Sequence, residues 1–210
     1  MKRSAAEITR EYGPFPDVEN VHGVTYDGRQ VWMATGDRLS AFDPRSGEVL
    51  RSIPVDADAG TAFDGRHLFQ IAEERIQKID PATGRVLATI PAPGGGGDSG
   101  LAWAEGTLWV GEYRGKKIHQ VDPETGAILR TIVSNRVVTG VTWVDGDLWH
   151  GTWEGEESDL RRIDPRTGEV LERLDMPPGA GVSGLESDGG DQFFCGGGGS
   201  GKVRVVRRPH

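Results

Sequence analysis

One short phrase recurs four times along the 210 residues: Phe42-Asp43-Pro44-Arg45-Ser46-Gly47, Ile79-Asp80-Pro81-Ala82-Thr83-Gly84, Val121-Asp122-Pro123-Glu124-Thr125-Gly126 and Ile163-Asp164-Pro165-Arg166-Thr167-Gly168. Each copy follows one apolar run and precedes another, so the chain is an array of one supersecondary unit. Proline presets φ for a turn, and aspartate can accept a hydrogen bond from the backbone two residues on. Upstream of each copy stands a second signature: Tyr26-Asp27-Gly28, Phe63-Asp64-Gly65, Ala104-Glu105-Gly106 and Val144-Asp145-Gly146. These mark hairpins, because glycine takes positive φ without a Cβ clash. A second strand follows each hairpin, such as Gln30-Val31-Trp32-Met33-Ala34; a third ends in the Asp-Pro phrase, and a fourth, such as Val49-Leu50-Arg51-Ser52-Ile53, begins after it. Four antiparallel strands in a span of roughly 40 residues make one propeller blade.

A fifth unit starts at Gly184-Leu185-Glu186-Ser187-Asp188-Gly189 and runs through Gln192-Phe193-Phe194-Cys195 to Gly201-Lys202-Val203-Arg204-Val205-Val206, where the sequence stops before a fourth strand. Ile8-Thr9-Arg10-Glu11-Tyr12 matches the fourth-strand pattern, so the N-terminal segment is expected to complete the fifth blade and close the ring, removing open sheet edges. The expected fold is a single all-β domain, a five-bladed β-propeller, with blades at 17–56, 57–94, 95–134, 135–177 and 178–210 plus 5–14. The 32 glycines suit many tight turns. No apolar run approaches the roughly 20 residues of a membrane span, the first residues lack a signal-peptide core, and the single cysteine cannot form an internal disulfide; a cytoplasmic location without membrane contact is the expectation. A net charge of −8 argues against a nucleic-acid surface.

Function in such a ring is expected where equivalent positions of the repeat differ. Just before the first-strand glycine stand His22, Ala59, Ser99, Thr139 and Ser183; just after the second-strand aromatic stand Met33, Gln70, Val110, His150 and Cys195. Alternation along a strand puts Trp32, Trp109 and Trp149 into blade packing and aims the second set, with Glu112, at the funnel. His22, His150 and Cys195 belong to blades one, four and five, neighbours in a closed ring. Their donors suit a divalent metal ion, or a base beside a nucleophile; cysteine as a small buried hydrophobe is the alternative. Asp98, Ser99 and Glu112, backed by Tyr113 and Arg114, form a second patch that can act as a base or stay solvated. Trp153 is either an aromatic platform for a ligand or a packing partner of the Glu154-to-Asp159 insertion. The candidate set is therefore His22, His150 and Glu112 for catalysis, and Asp98, Ser99, Thr139, Trp153, Ser183 and Cys195 for ligand binding. The run Gly196-Gly197-Gly198-Gly199-Ser200-Gly201-Lys202 fits a phosphate-loop spelling, but Val203 replaces the metal-binding hydroxyl and no helix follows, so it is expected to be a turn.

In Gly146-Asp147-Leu148-Trp149-His150-Gly151-Thr152-Trp153 followed by Leu160-Arg161-Arg162-Ile163-Asp164-Pro165, the sequence resembles the bacterial and plant-type glutaminyl cyclases, which are five-bladed propellers. Trp153 matches the family's tryptophan. A weaker likeness, in the Asp-Pro turns and His22-Gly23, is to the streptogramin B lyases. The resemblance implies a cyclotransferase-like or lyase activity on a small molecule in the funnel. By the same resemblance the cyclase glutamate falls at Met33, its asparagine at Thr139, its lysine near Gly198 and its entry glutamine at His22, so cyclisation of N-terminal glutamine is not expected. Two functions are expected to compete: a small-molecule-binding protein or enzyme using the funnel, and a non-catalytic propeller scaffold whose Glu154-Gly155-Glu156-Glu157 insertion faces a protein partner.

Overall fold

Each Asp-Pro phrase closes the hairpin between the third and fourth strands with its own side chains. Asp43, Asp80, Asp122 and Asp164 accept the amides of Arg45, Ala82, Glu124 and Arg166 at 2.8, 2.8, 2.8 and 2.7 Å, and these amides hold the four carboxyls below the usual range. Ser46, Thr83, Thr125 and Thr167 accept from the amides two residues beyond them, and the following glycines sit at φ between 75° and 77°, where a side chain would be strained.

The computed structural model describes all 210 residues, as twenty-one strands. β1 (Lys2–Ala5) and β2 (Ile8–Tyr12) precede the repeats. Blade one is β3 (Gly23–Tyr26), β4 (Val31–Ala34), β5 (Gly36–Phe42) and β6 (Val49–Ala57); blade two is β7 (Thr61–Phe63), β8 (Leu68–Ala72), β9 (Arg75–Ile79) and β10 (Val86–Pro91). Blade three is β11 (Asp98–Ala104), β12 (Thr107–Glu112), β13 (Lys117–Val121) and β14 (Ile128–Val133); blade four is β15 (Val141–Val144), β16 (Asp147–Glu154), β17 (Glu157–Ile163) and β18 (Val170–Asp175). Blade five is β19 (Gly184–Ser187), β20 (Gln192–Gly196) and β21 (Val203–Arg207), completed by β2, which pairs antiparallel with β21. Closure through the N-terminal strand follows the expectation. The parallel pairing of β1 with β18, Lys2 beside Glu172 through Ala5 beside Asp175, was not foreseen. No helix is long and apolar enough to cross a membrane.

Five apolar clusters fill the spaces between neighbouring blades. Trp32 and Ile53 of blade one meet Leu68 and Ile79 of blade two, and Trp149 and Leu160 of blade four meet Phe193 and Cys195 of blade five, with Trp149 and Phe193 ring centres 4.9 Å apart. Both faces of a blade are thus buried, which gives the second strands their nearly continuous apolar character.

At the centre the first strands converge on a ring of glycines. A Cβ on Gly23 would stand 2.6 Å from the Ala59 carbonyl oxygen, one on Gly60 2.5 Å from the Leu101 nitrogen, and one on Gly100 2.5 Å from the Thr139 carbonyl oxygen; Gly140 abuts Gly184 and Leu185, and Gly184 returns to Gly23. Backbone therefore meets backbone around the whole ring, and only glycine permits it. This waist separates a funnel on one side from a narrow channel on the other.

On the channel side Glu186 of β19 ties three blades together. Its carboxylate accepts Thr25 Oγ1 at 2.7 Å, Thr142 Oγ1 at 2.5 Å and the Ser187 amide at 2.9 Å. Burial nevertheless lifts the carboxyl to about 7 against those bonds. A carboxyl raised in the folded state contributes most below its unfolded pKa, and that contribution is lost as pH rises through about 7. The full shift corresponds to about 3 kcal/mol, but the residue keeps some accessible surface and water there screens it, so about 1–2 kcal/mol is expected. Urea unfolding of Glu186→Gln beside the parent should show the variant gaining that much in relative stability between pH 5 and pH 8. A stability difference that is constant with pH would show that Glu186 titrates normally.

Candidate functional site

On the funnel side of the waist, the residues immediately before the five ring glycines, His22, Ala59, Ser99, Thr139 and Ser183, line one cavity of about 290 Å³ together with Asp58, Asp98, Tyr113 and Trp153. The amides of His22, Thr139 and Ser183 donate to Ala34, Gly151 and Gly196 of their own second strands at 2.8, 2.9 and 2.8 Å, fixing the side chains over the funnel. Two of the hydroxyls also staple blades: Ser99 Oγ donates to Val138 O at 2.7 Å and Ser183 Oγ to Val21 O at 2.5 Å. Thr139 Oγ1 is buried and has no partner. Burial holds His22 below the usual histidine range, against the opposing charge of Asp58, so its imidazole is neutral near pH 7.

One position earlier in the repeat stand Val21, Asp58, Asp98, Val138 and Val182. The three valines are fully or almost fully buried scaffold. Adjacent blades two and three replace valine with aspartate. Asp98 is 8 % exposed, its Oδ1 accepts the Gly94 amide at 2.8 Å, and its Oδ2 has no partner. Burial raises its carboxyl above the ordinary range, with the charge of nearby Glu112 adding to the effect and the Gly94 and Gly96 amides opposing it. A buried carboxylate oxygen without a partner is costly unless something absent from the free protein satisfies it. Asp58 went unnoticed in the sequence, although its departure from valine at a repeated position was a visible signal.

Trp153 reaches the funnel because the hairpin of β16 and β17 is longer than its counterparts. Its ring lies against Gly181 and Gly198, where any Cβ would collide with the indole, and its Nε1 donates to Gly155 O at 3.0 Å. Tyr113 Oη donates to Trp153 O at 3.2 Å across the mouth. The side chain that lines the cavity is therefore also tied to the insertion, through its ring nitrogen. The run from Gly196 to Lys202 is a turn between β20 and β21, with Gly197 N bonded to Lys202 O at 2.9 Å.

Other expected site residues lie elsewhere. His150 does not face the funnel: it is 1 % exposed, its Nδ1 bonds Gly151 O at 3.0 Å, and it borders a separate cavity with Ser134, Asn135 and Val170. Burial drives it down to about 4, which leaves the ring uncharged. Cys195 packs among Trp149, Leu160, Val182 and Phe193, and burial pushes its thiol up to about 12, so it is the small hydrophobe rather than a nucleophile. Met33 and Val110 are likewise packed between blades. His22, His150 and Cys195 consequently do not converge, and no cluster of three or more His, Cys, Asp or Glu is arranged to hold a metal ion. Glu112 stands behind the cavity wall, paired across the strands with Asp98, and its Oε2 lies 2.9 Å from His119 Nε2, whose Nδ1 lies 2.9 Å from Thr131 Oγ1.

Comparison with known proteins agrees with this architecture. The structure is similar to the crystal structure of glutaminyl cyclase from Myxococcus xanthus, with a TM-score of 0.80 and 20% identity over 98% of this chain and 97% of that one. It also resembles hydrazine synthase from Kuenenia stuttgartiensis, with a TM-score of 0.54 and 18% identity over 85% of this chain and 55% of that one. A third similar structure is the WD40 repeats of RRP9, with a TM-score of 0.61 and 11% identity over 97% of this chain and 99% of that one. At these identities the likeness establishes the propeller fold. No curated protein sequence matches the chain. A family model, PQQ_2, described as outer membrane protein assembly factor BamB, matches residues 72–208, well over half of the sequence, and the chain belongs to that family.

Proposed function

We propose that this propeller binds a small molecule in the funnel above its glycine waist. The supporting observation is the convergence of one side chain from the same repeat position of every blade, with Asp98 and Trp153, on a single cavity; two of the lining residues, Asp98 and Thr139, each carry a buried oxygen without a partner, Oδ2 and Oγ1. Small concave sites with a few convergent polar groups are where ligands bind. The chemistry within reach of a bound molecule is proton transfer at Asp98, whose carboxyl is raised by burial and backed by the Glu112–His119 pair. Cyclisation of N-terminal glutamine, the activity named for the similar Myxococcus xanthus protein, is not part of this reading, because Met33 is sealed between blades and Thr139 and Gly198 offer neither amide nor ammonium. The scaffold reading has its own support in the exposed apolar pairs Val49-Leu50, Val86-Leu87 and Ile128-Leu129, repeated at the start of β6, β10 and β14.

Filling the funnel tests the proposal. Ala59→Trp places an indole in the cavity, so library compounds that raise the melting temperature of the parent should no longer raise that of the variant. The same parent protein should leave glutaminyl peptides unconverted. Equal stabilisation of parent and variant by every hit would move binding away from the funnel and leave the scaffold reading in front.

A further inference from the structure

The funnel cavity carries one sign of charge, and this narrows what it can hold. Resting on the reading of the funnel as a ligand site, we propose that it takes a small organic ammonium ion, with the cationic head between Asp98 and Thr139 and the apolar part against Trp153.

The repeat supplies the first argument. Where blades one, four and five put valine, blades two and three put Asp58 and Asp98, and both line the cavity. Asp58 is exposed and its carboxylate accepts the Glu73 amide at 3.2 Å, so the carboxylate left short of a donor is that of Asp98, whose Oδ2 has no partner. A buried aspartate in place of a wall valine weakens a scaffold unless a cation or donor meets it. No lysine or arginine lines the cavity. Two arginines of blade four and the segment before it are engaged elsewhere, Arg136 with Glu154 at 2.5 Å, and Arg161 with Asp159 and Asn135 at 2.7 and 2.6 Å. His22 is neutral there and adds no positive charge.

The unpartnered atoms supply the second. Asp98 Oδ2 and Thr139 Oγ1 are covered in the free protein, so only a head that enters between these two side chains reaches them; both oxygens accept hydrogen bonds, and an ammonium head carries up to three donors and no acceptor. A carboxylate or phosphate ligand would add like charge beside two aspartates, with Glu112 behind them. Trp153 and Tyr113 then provide ring faces, which attract a cation as well as apolar surface. A volume of about 290 Å³ sits at the lower edge of the ~300–1,000 Å³ usual for ligand pockets, so the ligand is small.

Three probes with one carbon skeleton separate charge from shape: cyclohexylmethylammonium, cyclohexylmethanol and cyclohexanecarboxylate, titrated into the whole protein by calorimetry. The ammonium probe should bind at least tenfold more tightly than the alcohol, and the carboxylate should give no heat of binding. Asp98→Asn should weaken the ammonium probe at least tenfold while leaving the alcohol unchanged. Thr139→Val, of similar shape and without the oxygen, should weaken it by a smaller factor, and it serves if Asp98→Asn folds poorly. Alcohol or carboxylate binding as tight as that of the amine, or amine binding untouched by both substitutions, would overturn the ammonium assignment while leaving the funnel a ligand site. No heat with the amine also overturns it, and the Ala59→Trp comparison then decides separately whether the funnel holds any ligand.

Discussion

A protein lacking residues 1–15 should show no cooperative unfolding transition, although those residues lie outside the repeats. β2 is the outer strand of blade five, paired through Ile8 with Val206 and Tyr12 with Val203, and it closes the ring. Tyr12 and Phe15 are 5 % and 6 % exposed and pack on Phe42 of blade one at 4.9 and 5.0 Å between ring centres. Tyr12 Oη also donates to Pro44 O at 2.6 Å, tying blade five to the first Asp-Pro turn. Truncating one buried aromatic costs about 3–5 kcal/mol, and two such losses, before the strand pairing is counted, already fall within the ~5–15 kcal/mol that holds a whole domain. Removal also exposes the edge of β21 to association with other chains. Deleting residues 1–5 alone is the control. It takes away only β1, whose residues are all exposed, and should move the melting midpoint by no more than about 4 °C. Circular dichroism melts of the two truncations distinguish the outcomes, and a sharp transition near the parent temperature for the longer deletion would mean that the ring does not depend on its N-terminal strand.

The same contrast shows what a single sequence can carry. Blade number and closure were readable because each unit brings its own turn chemistry: Asp43, Asp80, Asp122 and Asp164 bond the backbone two residues on, a local event that needs no knowledge of the rest of the fold. The funnel rim was readable for a similar reason, since a glycine in mid-strand marks close backbone approach and the residue before it must flank that approach. The placement of His150 and Cys195 failed on a different point. Period-two alternation separates the two faces of a strand, but it does not say what each face meets. In a propeller both faces of the second strand meet neighbouring blades, so the face opposite Trp149 belongs to packing and not to the funnel. β1 was invisible because Lys2-Arg3-Ser4-Ala5 has no apolar alternation and is held by backbone pairing and by ion pairs of Lys2 with Glu172 and Arg3 with Asp175. Asp58 is harder to single out because it stands not beside the glycine but one step further out, at a position that is valine in three of the five blades.

Substituting Asp159 by leucine should destabilise the protein by about 3–5 kcal/mol, the cost of stranding a buried charge. Asp159 is 1 % exposed in β17. Its Oδ1 accepts Arg161 Nε at 2.7 Å and Thr152 Oγ1 at 2.9 Å, and its Oδ2 meets Arg161 Nη2 at 3.2 Å and Arg173 Nε at 3.1 Å. The neighbouring cations are not equally dependent on it. Arg173 keeps Asp175 at 2.6 Å and Arg136 keeps Glu154 at 2.5 Å, whereas Arg161, with a side chain only 5 % exposed, keeps only Asn135. The loss should therefore come chiefly from Arg161, and the double variant Asp159→Leu/Arg161→Leu should recover most of it, because two apolar side chains leave no buried charge behind. At about 2–4 °C per kcal/mol for a chain of this size, the single variant should melt about 6–20 °C lower. Added salt should change this little, since buried pairs are poorly screened. A double variant no more stable than the single one would show that the aspartate acts through Thr152 or Arg173 instead. The consequence reaches the funnel: Thr152 precedes Trp153, and Trp153 pairs across the hairpin with Ser158, the neighbour of Asp159. Loosening this ion cluster should therefore free the indole from its seat on Gly181 and Gly198, and ligand affinity should fall with stability in the single variant and return with it in the double.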